Sequence, residues 1–365
     1  MNPVNPRRSA LLDFAFAGYV MAVATASLHP LASLPAPQWW QALQRLGEWP
    51  RFYSYADVVL NVLGYLPFGC LLTWRLRARA GPLRAAGLAT LAAAAFSLLL
   101  ELLQDGIPGR VPSALDVFCN TVGGATGAWI ALVARRADHP RSRLARWRDA
   151  HVHPGPTGDL ALVLLPAWLL AQFQAEVRLF ATGGLGGDAV AGQAWTATAF
   201  ALSEAAVCTA GLVALAGVAR CALPRHGGHI FLLTALGGLT LRSAASLALP
   251  PPHGPLFWLT PGNGAGLLAG SLLGLLVCRV RSPARAGALG VLALAVACAV
   301  AGLLPESPYA PQPDLGPGQQ GHLRHLLGTA SLLGSAWVVP SLAVALGVWR
   351  TRPEAADGAP PAHPG

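Results

Sequence analysis

The chain has 365 residues, of which 54% are hydrophobic and only 11% are charged, and its mean hydropathy is +0.49. Soluble domains carry about 25% charged residues, so this composition excludes a soluble globular protein and points to lipid as the solvent. All 25 basic residues are arginines, and they lie in short segments between apolar runs. That distribution is typical of membrane topology rather than of a nucleic-acid surface, and we predict no nucleic-acid partner.

Ten apolar runs approach the length that a membrane-spanning helix needs, which is about 20 residues. They cover residues 11–30, 56–74, 82–104, 114–135, 159–178, 195–218, 229–249, 257–278, 286–304 and 327–348. The sequence therefore predicts an all-α fold, a polytopic helical bundle of about ten transmembrane helices.

The arginines predict the orientation of these spans. In a ten-span chain, 19 of the 25 arginines fall on one side of the membrane. Short loops that are rich in Arg or Lys remain on the cytoplasmic side of the membrane. We therefore expect a multi-pass protein of the inner (cytoplasmic) membrane of a bacterium, with both termini in the cytoplasm.

A segment rich in Arg, His and Pro divides the chain at residues 136–158. We predict that this segment is a basic cytoplasmic loop between a four-helix region, residues 1–135, and a six-helix region, residues 159–350. The tail, residues 351–365, is rich in Pro, Ala and Gly, which is typical of disorder.

Polar side chains interrupt the second, third and fourth spans. The set comprises Asp57, Asn61, Glu101, Gln104, Asp116 and Asn120 within these spans, and Arg110 in the outer loop between the third and fourth spans. Polar and ionisable groups inside membrane segments are costly and usually functional. The hairpin topology carries all of them to the extracytoplasmic end, and spacings of three or four keep each pair on one side of its helix. We predict that they form one ligand-binding site.

A structural interpretation of each residue stays open. Ser54-x2-Asp57 and Ser113-x2-Asp116 are helix-capping patterns, in which an acid also suits the positive end of the helix dipole. The three amides are explained equally well as interhelical hydrogen-bonding groups.

Glu101 differs from the other acids because it lies near the C-terminal end of its helix, where the dipole disfavours an anion. It needs a cation, a proton or a ligand. Arg110 is the nearest cation in the sequence, so we predict that Glu101 pairs with Arg110.

Two linked motifs, Asp57-x3-Asn61…Pro67-x-Gly69 and Glu101-x2-Gln104…Arg110…Asp116-x3-Asn120-x3-Gly124, resemble the VanZ-like membrane protein family over residues 10–135. The resemblance implies a small helical membrane domain and a connection to the cell envelope, since the founding member is associated with glycopeptide (teicoplanin-type) resistance. It implies no particular reaction. Ser113 and Tyr65 depart from the family pattern and leave the number of acids in the site open.

Three functions are consistent with these features. In the first, the polar site binds a lipid-linked, peptidoglycan-related or glycopeptide ligand. In the second, the protein is a membrane-embedded enzyme with Glu101, Asp116 or Asp57 as the general acid or base. In the third, it is a small-molecule transporter that uses Glu204 and Arg242.

The six later spans carry other features. Glu204 and Arg242 are expected at equal depth in neighbouring helices, where we predict a structural ion pair. Glycines recur every fourth residue at Gly262, Gly266, Gly270 and Gly274, which predicts a close helix contact. Neither histidine pair, His226-x2-His229 or His322-x2-His325, has the added acid of a zinc helix, so we predict no metal and no cofactor. Membrane lipids are the expected surroundings.

Overall fold

The computed structural model describes only part of the chain. The described residues are 10–28, 39–47, 49, 53, 55–105, 107, 111–134, 143–173, 179–180, 196–248, 254–303, 334 and 337–351.

Within these ranges the chain is helical and contains no strand. The helices are α1 (Leu11–Leu28), α2 (Trp39–Leu46), α3 (Tyr55–Ala80), α4 (Pro82–Gln104), α5 (Ala114–Val133), α6 (Arg143–His151), α7 (Pro156–Ala171), α8 (Ala197–Ala222), α9 (Gly227–Ala248), α10 (Pro261–Arg279), α11 (Pro283–Leu303) and α12 (Val338–Arg350). The predicted all-α fold is confirmed.

Each of the ten predicted spans overlaps one of these helices. Seven helices in the described part of the chain are long and apolar enough to cross a membrane, namely α1, α3, α4, α8, α9, α10 and α11. The helices α5, α7 and α12 coincide with predicted spans but do not meet the same requirement of length and hydropathy. A membrane protein with seven candidate spans is therefore established, and the count of ten stays a prediction.

Some helix ends differ from the predicted spans because local hydrogen bonds decide them. Helix α7 ends at Ala171, and Gln172 turns back to donate its backbone N–H to the Leu169 carbonyl. Helix α10 starts only at Pro261, where the Thr260 side chain caps the N–H of Asn263. The predicted basic loop contains a short helix, α6, which the polarity of that segment concealed.

Glycines bring α3 and α5 into direct backbone contact. A side chain at Gly69 would strike the Gly124 carbonyl, and one at Gly127 would strike the Leu66 carbonyl. Gly124 in turn leaves room for Ala93 of α4. Small residues allow this close approach of helices in membranes. The glycines in the sequence motifs therefore hold the α3–α4–α5 bundle at the spacing that its polar residues require.

Helix α8 is the centre of the second bundle and packs closely against α10 and α11. Gly262, Gly266 and Gly270 lie against α8, and Gly274 faces the ring of Phe231 on α9. The predicted glycine contact is thus confirmed, and it joins helices within one chain.

Asp159 connects the two bundles. Its buried carboxylate accepts a hydrogen bond from the backbone N–H of Ala10, just before α1, at 2.8 Å. It also forms an ion pair with Arg148 of α6. One acid at the start of α7 therefore fixes both the first helix and the short helix α6.

Candidate functional site

The polar residues of α3 and α5 meet at the end of the first bundle where both helices begin. The Asn61 side-chain amide donates a hydrogen bond to the Asp116 carboxylate at 2.8 Å. Asp57 lies one turn earlier on α3 and is half-buried. The structure therefore places Asp57, Asn61 and Asp116 at the same end of the bundle.

Glu101 is buried at the C-terminal end of α4, beside the N-terminal end of α5. Its carboxylate accepts the backbone N–H of Ser113 at 2.9 Å. The positive end of the α5 dipole therefore offsets the unfavourable dipole of Glu101's own helix. Arg110, the cation predicted to pair with Glu101, lies outside the described residues, and that ion pair stays a prediction.

Ser113 caps α5, as the sequence predicts. Its hydroxyl accepts the backbone N–H of Asp116 at 3.3 Å. Asp116 thus has a structural role at the helix start and also contacts Asn61 on α3. The matching cap residue of α3, Ser54, lies outside the described residues.

A buried group of polar side chains from the three helices lies one turn deeper. The Asn120 amide donates to the Ser97 hydroxyl at 2.8 Å. Tyr65 of α3 is buried close to the same hydroxyl. The Asn120 side-chain carbonyl is buried and has no hydrogen-bond partner among the described residues. An acceptor in this state is costly unless a ligand satisfies it.

Helix α1 closes one side of the cluster. The Gln104 amide donates to the Ser27 carbonyl of α1 at 2.8 Å. Nearer the middle of α1, the Tyr19 hydroxyl donates to the Gly64 carbonyl of α3 at 2.6 Å. These two bonds hold α1 against α3 and α4, and Gln104 therefore positions a neighbouring helix.

A described cation at this end of the bundle is one that the sequence analysis did not select. Arg45, on the amphipathic helix α2, forms an ion pair with Asp105 at 2.5 Å, directly after α4. Trp40 and Leu43 on the same short helix are exposed. The Arg45–Asp105 pair joins α2 to the C-terminal end of α4.

Sequence reasoning also missed Tyr65 and Ser97 as members of the site. Ser97 lies four residues before Glu101 on α4, and Tyr65 lies four residues after Asn61 on α3. This helical spacing was the available signal.

Hydrogen-bond acceptors dominate the polar cluster. It contains the carboxylates of Asp57, Glu101 and Asp116 and the unsatisfied carbonyl of Asn120. Such a set can bind hydroxyl, amide or ammonium donors.

Glu204 and Arg242 are both buried in the second bundle. Glu204 accepts the Thr260 hydroxyl at 2.7 Å. The guanidinium of Arg242 lies 6.0 Å from the centre of the Phe257 ring. The charges of Glu204 and Arg242 both act on the buried thiol of Cys208, so the two side chains lie in the same region of the bundle. The ion pair between them stays a prediction.

The comparisons with known proteins agree with the resemblance noted in the motifs. The family model described as VanZ/LLP1 matches residues 12–135. No curated protein and no solved structure matches the chain. The matched segment contains α1 to α5 and every residue of the polar cluster, whereas the helices from α6 onward lie outside it. Residues 12–135 of this membrane protein are therefore similar to the VanZ/LLP1 family.

Proposed function

We propose that the polar cluster of the VanZ-like region binds a cell-envelope ligand at the extracytoplasmic face of the membrane. The observation that carries the proposal is the buried, unsatisfied carbonyl of Asn120. The amide of Asn120 bonds Ser97, which lies one helical turn before the buried carboxylate of Glu101 on α4. Native proteins rarely leave such a group without a partner. A donor on a ligand would complete its hydrogen bonding.

The chemistry of the cluster selects the class of ligand. Asp57, Glu101 and Asp116 supply negative charge, and Asn120 supplies a neutral acceptor. This set favours hydroxyl-rich and ammonium-bearing groups, such as the sugar and peptide parts of a lipid-linked peptidoglycan precursor or a glycopeptide. A polyprenyl phosphate without sugar or peptide offers few donors and should bind weakly.

Binding by the full chain in lipid nanodiscs tests the proposal. The probes are a lipid-linked disaccharide–peptide precursor and the corresponding polyprenyl phosphate. We expect the first to bind more tightly than the second. Asn120→Ala and Glu101→Gln should each weaken precursor binding about tenfold, which is the effect of one lost hydrogen bond of about 1.4 kcal/mol.

Asn263→Ala is the matched control for Asn120→Ala. Asn263 is also buried, also donates one amide hydrogen bond, and also has an unsatisfied carbonyl, but it lies on α10 in the second bundle. It should reduce stability without changing precursor affinity. Equal binding of both probes by the wild type, or equal losses in the two Asn variants, would contradict the proposal.

The same preparation separates binding from catalysis. An acid–base enzyme would convert the precursor, and Glu101→Gln or Asp116→Asn would stop turnover while leaving the precursor bound. Mass spectrometry of the probe after incubation measures this directly. We expect the precursor to be recovered unchanged.

A further inference from the structure

An open apolar groove lies in the second bundle, away from the polar cluster. Its volume is about 730 Å³, and α8, α10 and α11 form its walls. This volume falls within the range of about 300–1,000 Å³ that is typical of ligand sites. The lining is almost entirely aliphatic and includes Val213, Leu276, Val280, Leu289 and Ala293.

The one polar side chain in the wall is already satisfied. The hydroxyl of Thr209 donates to the Gly266 carbonyl at 3.2 Å. The groove therefore offers no hydrogen bond to a polar solute and suits a hydrocarbon chain. Along α8 it extends from Leu202 to Val213, which is about 17 Å at 1.5 Å per residue.

Arginines surround one end of this groove. Helices α10 and α11 meet there in a short turn, with Arg279 before the turn, Arg281 within it and Arg285 just after it. Arg285 lies four residues before the groove residue Leu289 and therefore on the same face of α11. All three arginines are exposed. Among the residues that the structure describes, their guanidinium groups form no hydrogen bond or ion pair.

A fourth arginine has a different role and stabilises the turn. Arg220 of α8 donates to the backbone carbonyls of Val280 and Arg281 at 3.1–3.3 Å. These bonds fix the backbone of the turn against α8. The backbone of Arg281 is thereby held next to Val280, a residue that lines the groove.

We infer that this groove binds an anionic phospholipid, with one acyl chain along α8 and the headgroup phosphate at Arg281 and Arg285. Basic sites at the ends of transmembrane helices bind anionic headgroups, and Arg pairs with phosphate through two parallel hydrogen bonds. An aliphatic groove that ends in free guanidinium groups matches both parts of such a lipid. The inference is independent of the polar cluster and its proposed ligand.

Native mass spectrometry of the purified full chain tests the site. The probes are phosphatidylglycerol and phosphatidylcholine with identical acyl chains. We expect retention of phosphatidylglycerol over phosphatidylcholine. Arg281→Gln and Arg285→Gln should each reduce that preference about fivefold. Ala293→Trp, which fills the groove, should abolish retention of both lipids.

Two variants are matched controls. Arg225→Gln removes an exposed arginine from the turn between α8 and α9, at the same end of the bundle, and Leu233→Trp enlarges an exposed residue of α9 outside the groove. Neither should change lipid retention. If Ala293→Trp fails to fold, Ala206→Leu on the opposite wall replaces it.

Several results would overturn the inference. They are an unchanged lipid preference in the Arg281 and Arg285 variants, or an equal loss in Arg225→Gln. Full lipid retention by a folded Ala293→Trp or Ala206→Leu variant would also overturn the inference. Loss of a dimer rather than of lipid in Ala293→Trp would show that a second copy of the chain occupies the groove.

Discussion

The side-chain amide of Asn61 donates a 2.8 Å hydrogen bond to the carboxylate of Asp116 and thereby joins the N-terminal parts of α3 and α5. These residues are 55 positions apart in the chain. The bond exists because motif glycines allow the two helices to touch along their backbones. Interhelical packing and the polar cluster are therefore two consequences of one sequence pattern.

A double-mutant cycle should detect this bond. Asn61→Ala and Asp116→Ala are each expected to destabilise the folded protein. The coupling free energy between them should be about 0.6–1.7 kcal/mol, from the average to the maximum found for hydrogen bonds between membrane helices. The free energy of unfolding in mixed micelles gives the result. Strictly additive losses would show that the contact contributes nothing.

Gly69→Ala should be strongly destabilising. The added methyl group would strike the backbone of Gly124, and overpacking of this kind costs about 1–3 kcal/mol or more. Gly64→Ala on the same helix is the control, because nothing lies within 4 Å of the position its methyl group would occupy. Thermal unfolding of the purified variants should show a lower Tm for Gly69→Ala and an unchanged or higher Tm for Gly64→Ala.

Asp159→Ala should separate the two bundles. The substitution leaves Arg148 without its buried partner and removes the acceptor of the Ala10 N–H, and breaking a buried ion pair costs about 3–5 kcal/mol. Asp149→Ala removes the other acid that contacts Arg148, but its side chain is 71% exposed, so its loss should cost no more than about 1 kcal/mol. Limited proteolysis near residues 136–158 measures the loosening. Equal cleavage of both variants would contradict the assigned role of Asp159.

His153 should make stability depend on pH. It lies between α6 and α7, where its backbone N–H donates to the Ala222 carbonyl at 2.9 Å. Burial lowers the pKa of its imidazole below the ordinary value of 6.5. The folded state therefore favours the neutral ring, and the unfolded state binds more protons at pH values between the two pKa values.

This contribution to stability is fully present above about pH 6.5 and is lost as the pH falls through the lowered pKa of the folded state. His153→Gln should flatten the dependence of Tm on pH in this window. His229, which is exposed at the start of α9, provides the control variant His229→Gln. An unchanged pH profile in His153→Gln would contradict the prediction.

Local patterns in the sequence determined much of this protein. Long apolar runs can only be helices in lipid, because each helix satisfies its own backbone hydrogen bonds. The Ser113 cap and the glycine contact of α10 followed from short-range spacing. The motifs from Asp57 to Gly124 by themselves indicated the resemblance of residues 10–135 to the VanZ-like family.

Tertiary structure decided which groups meet. No spacing rule could reveal that Glu101 accepts the Ser113 N–H, that Arg45 reaches Asp105, or that Asp159 binds both Ala10 and Arg148. Those contacts depend on how separate helices pack, and packing depends on shape across the whole bundle rather than on neighbours in the chain. The groove between α10 and α11 arises in the same way, because two helices diverge from a shared turn and leave the surface of α8 uncovered.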